Sequence, residues 1–294
     1  MVLCFASGKA AEAVMVERYR RQRSKPALLG NHQKCWLWGR HVVTETLRSA
    51  RWPVLELHLS DRLPEEDLTF ATEWSRTREA TLTIEPFDRL TDLCHSREHQ
   101  GFLAKMAPFP YDGVEDVLSA AKPTPLFGLL DGLQDPHNFG AVIRSAHVLG
   151  VAALFVPTHG QVEVTAQVAR SSAGAVNHLP IAQADDLVAL AEQLRSRGIR
   201  VIGTSQRASQ PISNCDLTRA AAIVIGNEGT GIRDELLAVC DELVTIPQFG
   251  AVESLNAAVS AGILFYEAQR QRAAVGSGER REESSAAQPQ CSAK

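Results

Sequence analysis

The sequence lacks any apolar run approaching the roughly 18 residues a membrane helix needs, so no helical span is expected. Its start, MVLCFASGKAAEAVMVERYRRQR, carries its charge after its short apolar stretch, the reverse of a secretory signal. Cysteine is sparse and unpaired in spacing. Cys4, Cys35, Cys94, Cys215, Cys240 and Cys291 are scattered, which argues against a disulfide framework or zinc ribbon and for reduced thiols in a cytosol. His32 with Cys35, and Cys94-His95 with His99, are half-sites without partners, so no metal is expected. No G-x-G-x-x-G follows the first strand of an α/β unit and no glycine-lysine-serine/threonine loop is present, which removes the ordinary dinucleotide and P-loop folds. No internal repeat is visible. These absences leave a cytoplasmic globular protein without membrane, metal or disulfide.

What is present fits that class. The apolar fraction of 45% and charged fraction of 22% are ordinary for a globular chain, and 294 residues suffice for one large or two moderate domains. The net charge of -4 hides an asymmetry, because residues 1–34 contain seven Lys or Arg against two Glu. A flexible basic arm over residues 1–35 is compatible with non-specific binding to a phosphate backbone and equally with a solvated extension.

Hydrophobic periodicity divides the remainder. Residues 36–40 lead into a helix over 41–50 with Val42, Val43, Thr46 and Leu47 as its apolar stripe. A half-buried strand (53–60), helices over 65–79 and 87–94, and strands over 81–84 and 99–106 follow. Residues 36–107 therefore form a small α/β domain, joined through a Pro- and Gly-containing linker and short helix (108–123) to a second domain over 124–272. That domain offers apolar strands at 126–130, 152–156, 200–203, 222–225 and 243–246. Helices lie between and after them, at 141–149, 165–172, 186–197, 233–239 and 255–272. Short apolar strands separated by helices indicate a parallel sheet covered on both faces, with ligands at the carboxyl ends of its strands. Residues 273–294 are small and polar and read as a disordered tail.

Three loops at such carboxyl ends share an unusual composition. The first runs from Asp131 to Arg144, with Asn138 at the expected start of a helix and Arg144 six residues later. The second, Ile225-Gly226-Asn227-Glu228-Gly229-Thr230-Gly231, has glycines that let backbone approach a ligand closely, and one carboxylate. The third, from Ile246-Pro247 to Ser254-Leu255-Asn256, feeds a helix of small residues that Ser254 is placed to cap, with Asn256 in its first turn.

In order and spacing these loops resemble the three signature motifs of the SpoU class of RNA ribose 2'-O-methyltransferases, within the knotted methyltransferase superfamily. Motif one is Asn138, Gly140 and Arg144; motif two is residues 225–231; motif three is Ile246-Pro247 with Ser254-Leu255-Asn256. The resemblance covers roughly residues 38–271. Gly39-Arg40-His41, with Val42 and Val43, looks like the start of the ribosomal-protein-like RNA-binding domain that many members carry. That makes the chain most similar to the subfamily methylating a guanosine ribose of 23S ribosomal RNA, with transfer-RNA methylation as the alternative. The resemblance implies a deep trefoil knot in the second domain, S-adenosylmethionine as cofactor, RNA as substrate and a homodimer. It implies cofactor contacts from Gly203, Thr204, Ile225, Gly226, Asn227, Gly231, Ile246, Pro247, Ser254, Leu255 and Asn256. It implies a catalytic group of Arg144, Asn138, Glu228, Ser254 and Asn256.

The chemistry explains this choice of residues. A ribose 2'-hydroxyl is a weak acid and must be held in line with an electrophilic methyl while it loses its proton. An ionised guanidinium has no lone pair, so Arg144 is expected to bind phosphate and hydroxyl together and to stabilise the forming alkoxide. Asn138 is expected to orient Arg144 or the ribose. Two other classes compete: a non-catalytic RNA-binding ribosome-assembly protein, against which the five intact polar residues speak, and a dehydrogenase, against which the missing glycine fingerprint speaks.

Overall fold

The computed structural model describes residues 35–250 and 254–286; the predicted basic arm lies almost entirely outside them. Two sheets organise the chain. The first combines β1 (Trp36–Trp38), α1 (Arg40–Ser49), β2 (Val54–Ser60), α2 (Glu65–Arg78), β3 (Thr81–Glu85), α3 (Phe87–Cys94) and β4 (Phe102–Met106). Its strand order is β1-β4-β2-β3, with β4 antiparallel to both neighbours and β2 parallel to β3. Residues 36–38 were expected only to lead into a helix. They form a strand because Trp36 to Trp38 pair with Lys105 to Leu103, a long-range partner that periodicity does not reveal. The expected strand over 99–106 begins only at Phe102. His99 sits instead in a tight turn, where Gln100 and Gly101 both adopt positive φ, 51° and 82°.

After α4 (Val114–Ala120) come β5 (Leu126–Asp131), α5 (Pro136–Val148), β6 (Ala153–Pro157), α6 (Ala166–Ser171), β7 (Ile181–Ala184), α7 (Leu187–Ser196), β8 (Arg200–Thr204) and β9 (Gln210–Pro211). β10 (Ala221–Gly226), α8 (Asp234–Ala238), β11 (Glu242–Thr245) and α9 (Ala257–Ala286) complete the fold. The second sheet has seven strands in the order β7-β6-β5-β10-β8-β11-β9, every pair parallel. All six residues of β5 are buried, as expected of a central strand with both faces covered. Short β7 and β9 were missed in the sequence: four and two residues are too few to show a period. The last helix continues to Ala286, past the expected end at residue 272, so residues 273–286 are helical rather than a structureless tail.

Small residues set the packing behind the site. Gly128 of β5 leaves room for the ring of Phe265: a Cβ there would meet Phe265 Cζ at 3.1 Å. Leu264, Phe265 and Ala268 of α9 are fully buried, and Gly262 lies beside Ser145 of α5. Arg272 ties the same helix to the starts of the strands. Its guanidinium donates to the carbonyls of Thr124, Pro125, Leu217 and Arg219.

The segment from α6 to β7 holds the two sheets together. Arg170 stacks 3.4 Å above the Trp38 ring, Asn177 Nδ2 donates to Thr46 Oγ1 at 3.0 Å, and Arg51 donates to the Leu179 carbonyl at 2.6 Å while pairing with Asp112. One apolar cluster runs from Leu37 and Val43 through to Phe139 and Phe265.

Candidate active site

The carboxyl ends of β8, β10 and β11 and the start of α9 surround a cavity of about 590 Å³, within the range that takes a small-molecule ligand. Its walls are built from the loops that follow those strands. β10 ends at Gly226 and turns into a closed loop in which Asn227 N and Gly231 O, and Gly231 N and Asn227 O, bond at 3.0 Å. Asn227 Oδ1 accepts from Gly229 N and Thr230 N, and its Nδ2 donates to the Gly132 carbonyl at 2.6 Å. The loop closes so tightly that a Cβ on Gly226 would overlap Gly231 C and Ile232 N, and Gly231 itself has φ +73°. Only glycine fits these two positions without a shift of the backbone.

A buried carboxylate anchors this loop to the next strand. Asp131, 5% exposed at the end of β5, accepts from Arg233 N and Nε at 2.8 Å each. In the sequence Asp131 marked only the start of the first loop, and neither residue was given a role. A charge closing an otherwise apolar strand was the available signal, but its partner lies 102 positions away.

Helix α5 starts at Pro136, capped by Asp135, whose side chain accepts from His137 N at 2.8 Å. Asn138, expected at the start of the helix, lies inside its first turn. Its amide is committed on both sides: Nδ2 donates to Glu228 Oε1 at 2.8 Å and Oδ1 accepts from Asn256 Nδ2 at 2.9 Å. Asn138 was expected to orient Arg144 or the ribose; both ends of its amide are taken by Glu228 and Asn256, and none of its bonds goes to Arg144. Arg144 lies two turns along α5 and is exposed, and its guanidinium makes no hydrogen bond or ion pair with another described residue. Gly140, between them, seats α5 against α6, since a Cβ there would overlap Ser171 and press to 2.9 Å of Ser172 N and Val168 O.

The third loop also departs from expectation in detail. α9 begins at Ala257, and its cap is Asn256, whose Oδ1 accepts from Ala258 N at 2.9 Å and Val259 N at 3.3 Å; Ser254 does not cap it. One side chain therefore ends a helix with its oxygen and holds Asn138 with its nitrogen.

Of the residues expected at the cofactor, Thr204, Ile225, Gly226, Asn227, Gly231, Ile246, Ser254 and Leu255 line the cavity, as does Glu228. Gly203, Pro247 and Asn256 do not. Gly203 faces the packing beneath the cavity, where a Cβ would meet Leu243 Cδ2 at 2.7 Å and Cys240 Sγ at 2.9 Å. Thr204 Oγ1 donates to the Val224 carbonyl at 2.9 Å, fixing β8 against β10. Lining residues missed in the sequence include Ser205, Gln206, Arg207 and Ser260. Ser205 to Arg207 continue directly from Gly203-Thr204, so the carboxyl-end rule applied to β8 would have found them.

The cavity suits a nucleoside-bearing sulfonium. Ile225, Ile246, Leu255 and Leu264 give an apolar wall for a flat ring, Thr204, Ser205 and Ser260 give hydroxyls, and Glu228 and Asp234 give negative charge to face a cation. Among the described residues, no cysteine lines the cavity. Burial pushes the Cys240 thiol up to about 11 and the Cys215 thiol, beside Glu242, up to about 12, so both stay protonated.

Similarity to known proteins agrees with this geometry. The SpoU rRNA Methylase family matches residues 125–266. The chain is 34% identical over 249 residues to the putative TrmH family tRNA/rRNA methyltransferase YacO of Bacillus subtilis, covering 84% of this chain and 99% of that protein. It is 33% identical over 237 residues to the 23S rRNA (guanosine-2'-O-)-methyltransferase RlmB of Neisseria meningitidis, covering 80% and 95%. Among solved structures, the SpoU methyltransferase AviRb of Streptomyces viridochromogenes in complex with AdoMet superposes with a TM-score of 0.70 at 25% identity, covering 88% of this chain and 99% of that one. The chain belongs to the SpoU rRNA methylase family, with the tRNA/rRNA methyltransferases of the TrmH type.

Proposed function

We propose that the protein transfers a methyl group from S-adenosylmethionine to a ribose 2'-hydroxyl of RNA, with a guanosine of 23S ribosomal RNA as its target. The observation that carries this reading is the bond chain Glu228, Asn138, Asn256, which joins all three signature loops at one edge of the cavity. The bound cofactor supplies an electrophilic methyl on a sulfonium that becomes a neutral thioether. The protein's own residues do the rest. Thr204, Ile225, Gly226, Asn227, Gly231, Ile246, Ser254 and Leu255 hold the cofactor. Asn138 and Ser254 stand on the side of the acceptor ribose, and Asn256 fixes Asn138. Arg144, its guanidinium unpaired and exposed on the same helix as Asn138, binds a phosphate and stabilises the alkoxide as the hydroxyl proton passes to solvent water. The ribose hydroxyl also makes the site an RNA site rather than a DNA site.

Residues 36–107 serve as the RNA-docking unit. In support, Arg40, His41, Thr44 and Arg48 of α1, Glu66, Asp67 and Phe70 of α2 and Gln100 line a groove of about 690 Å³; Arg40 is paired with Asp67, and the Arg48 guanidinium, 5.6 Å from the Phe70 ring centre, is the cation offered to a phosphate. Residues 124–272 form the knotted catalytic unit, a reading supported by family membership. The working form is a homodimer. Val259, Ile263 and Tyr266 share one face of α9 and, with Val148 of α5, are 37–73% exposed, an apolar stripe that a second copy would cover.

The test is direct. Purified protein with methyl-labelled S-adenosylmethionine and RNA from cells lacking the gene should place label in alkali-resistant dinucleotides of 23S ribosomal RNA. Label confined to transfer RNA would move the substrate; label on bases, or none, would overturn the reaction.

A further inference from the structure

Among the described residues, the aromatic side chains are buried or half-buried with two exceptions, Tyr266 and Phe249. Tyr266 lies in the apolar stripe of α9. Phe249 does not belong to that helix and is 98% exposed, the most exposed large hydrophobic side chain of the described residues. It lies in the loop leaving β11, one residue after Gln248, which lines the cofactor cavity, and five before Ser254, which lines it again. The surrounding rim is polar. Gln206, Arg207 and Gln248 stand at the same cavity, and the Arg207 guanidinium makes no hydrogen bond or ion pair with another described residue.

A phenyl ring left in water at a cavity mouth gains free energy only from a partner with a flat or apolar face. The partner must also tolerate, or prefer, a cation beside the ring. A nucleotide meets both conditions, since its base offers a π face and its phosphate a negative charge. Recognition of single-stranded RNA uses this combination, with splayed bases stacked on aromatic side chains. We propose that Phe249 is a substrate-positioning residue that stacks on a nucleobase of the RNA at the acceptor nucleotide, with Arg207 facing the adjoining phosphate. This rests on the proposed RNA methylation. It adds a contact from within the third loop, at a position between its two motif segments, that acts on RNA affinity and leaves the cofactor alone.

The experiment compares wild type with Phe249→Ala, Phe249→Leu and Phe249→Trp in the full chain. RNA affinity is measured by filter binding to protein-free 23S ribosomal RNA, methyl transfer by label incorporation, cofactor affinity by calorimetry and oligomeric state by sedimentation. Stacking on a base is worth roughly 1–3 kcal/mol by truncation to alanine, which is about 5- to 150-fold in affinity. The proposal therefore expects that loss in RNA Kd and in KM for both Ala and Leu, near-wild-type values for Trp, and unchanged kcat, cofactor affinity and oligomeric state. A leucine variant equal to wild type would overturn stacking in favour of simple apolar contact. Weakened cofactor binding would assign the ring to the cofactor, and a shifted dimer equilibrium would assign it to a second copy; either would overturn the proposal. If wild type binds RNA but transfers no methyl, the enzymatic reading fails, and the RNA affinities of the variants still decide the role of Phe249.

Discussion

The side-chain amide of Asn256 donates to Asn138 Oδ1 at 2.9 Å, joining residues 118 positions apart, while the Asn256 oxygen caps α9. Asn138 in turn donates to Glu228, so its amide has one orientation and no freedom to rotate. Two helices and the loop after β10 are thereby held in one register at the cavity edge.

This coupling is measurable. Asn256→Asp keeps the capping oxygen and removes the donor to Asn138, so it should lower the transfer rate with little change in Tm. Asn256→Ala also loses the cap, at about 1 kcal/mol of stability. In a double-mutant cycle for turnover, Asn138→Ala and Asn256→Asp should be non-additive by roughly 0.5–1.5 kcal/mol. Additive effects would mean that the two amides act independently.

Gly226→Ala tests the loop after β10. Its added Cβ would overlap Gly231 and Ile232, so the loop must open, at about 1–3 kcal/mol. Calorimetry should show cofactor affinity weakened by about tenfold or more, since roughly 1.4 kcal/mol is a decade. The far-ultraviolet circular dichroism should be preserved. Alanine at Gly160, exposed and with nothing within 4 Å but with φ +72°, controls for backbone strain away from the cavity: it should lower Tm and leave cofactor affinity intact.

His99 sets a pH limit on the small sheet. The ring is fully buried; Nδ1 accepts from Gly101 N at 3.1 Å and Nε2 lies 3.0 Å from Thr91 Oγ1. Burial pushes its pKa below the ordinary histidine value, with Asp88 opposing weakly. The unfolded chain therefore takes up a proton that the folded one refuses. The stabilising effect is complete above the unfolded value of about 6.5 and is lost as pH falls below it toward the folded pKa. Thermal melts between pH 7.5 and 5 should show a falling Tm, and His99→Gln, less stable at neutral pH, should flatten that dependence. An unchanged slope would contradict a neutral buried imidazole.

Much of this architecture was readable because each motif loop follows an apolar strand. Asn138, Glu228 and Asn256 announce themselves as polar residues where a buried strand stops. What escaped was what depends on distant pairing. β9 is Gln210-Pro211, polar and without period, and exists only because β11 offers it an edge. β1 is called into being by β4, and Asp131 finds Arg233 across most of the parallel sheet's chain. The helix caps went astray for a local reason. Asp135 and Ser254 both stand near a helix start, and only the backbone path shows that Asp135 caps α5 while Asn256, not Ser254, caps α9.

The account rests most heavily on Arg144, the exposed cation of motif one, and the deciding measurement is methyl transfer by Arg144→Ala set beside its cofactor affinity. Incorporation of label into RNA should fall by about a hundredfold or more, as when a positioned charge stabiliser is removed, while the Kd for S-adenosylmethionine stays within about twofold of wild type. Transfer retained within about threefold would contradict the assignment of Arg144 and of the α5 face as the RNA side of the site.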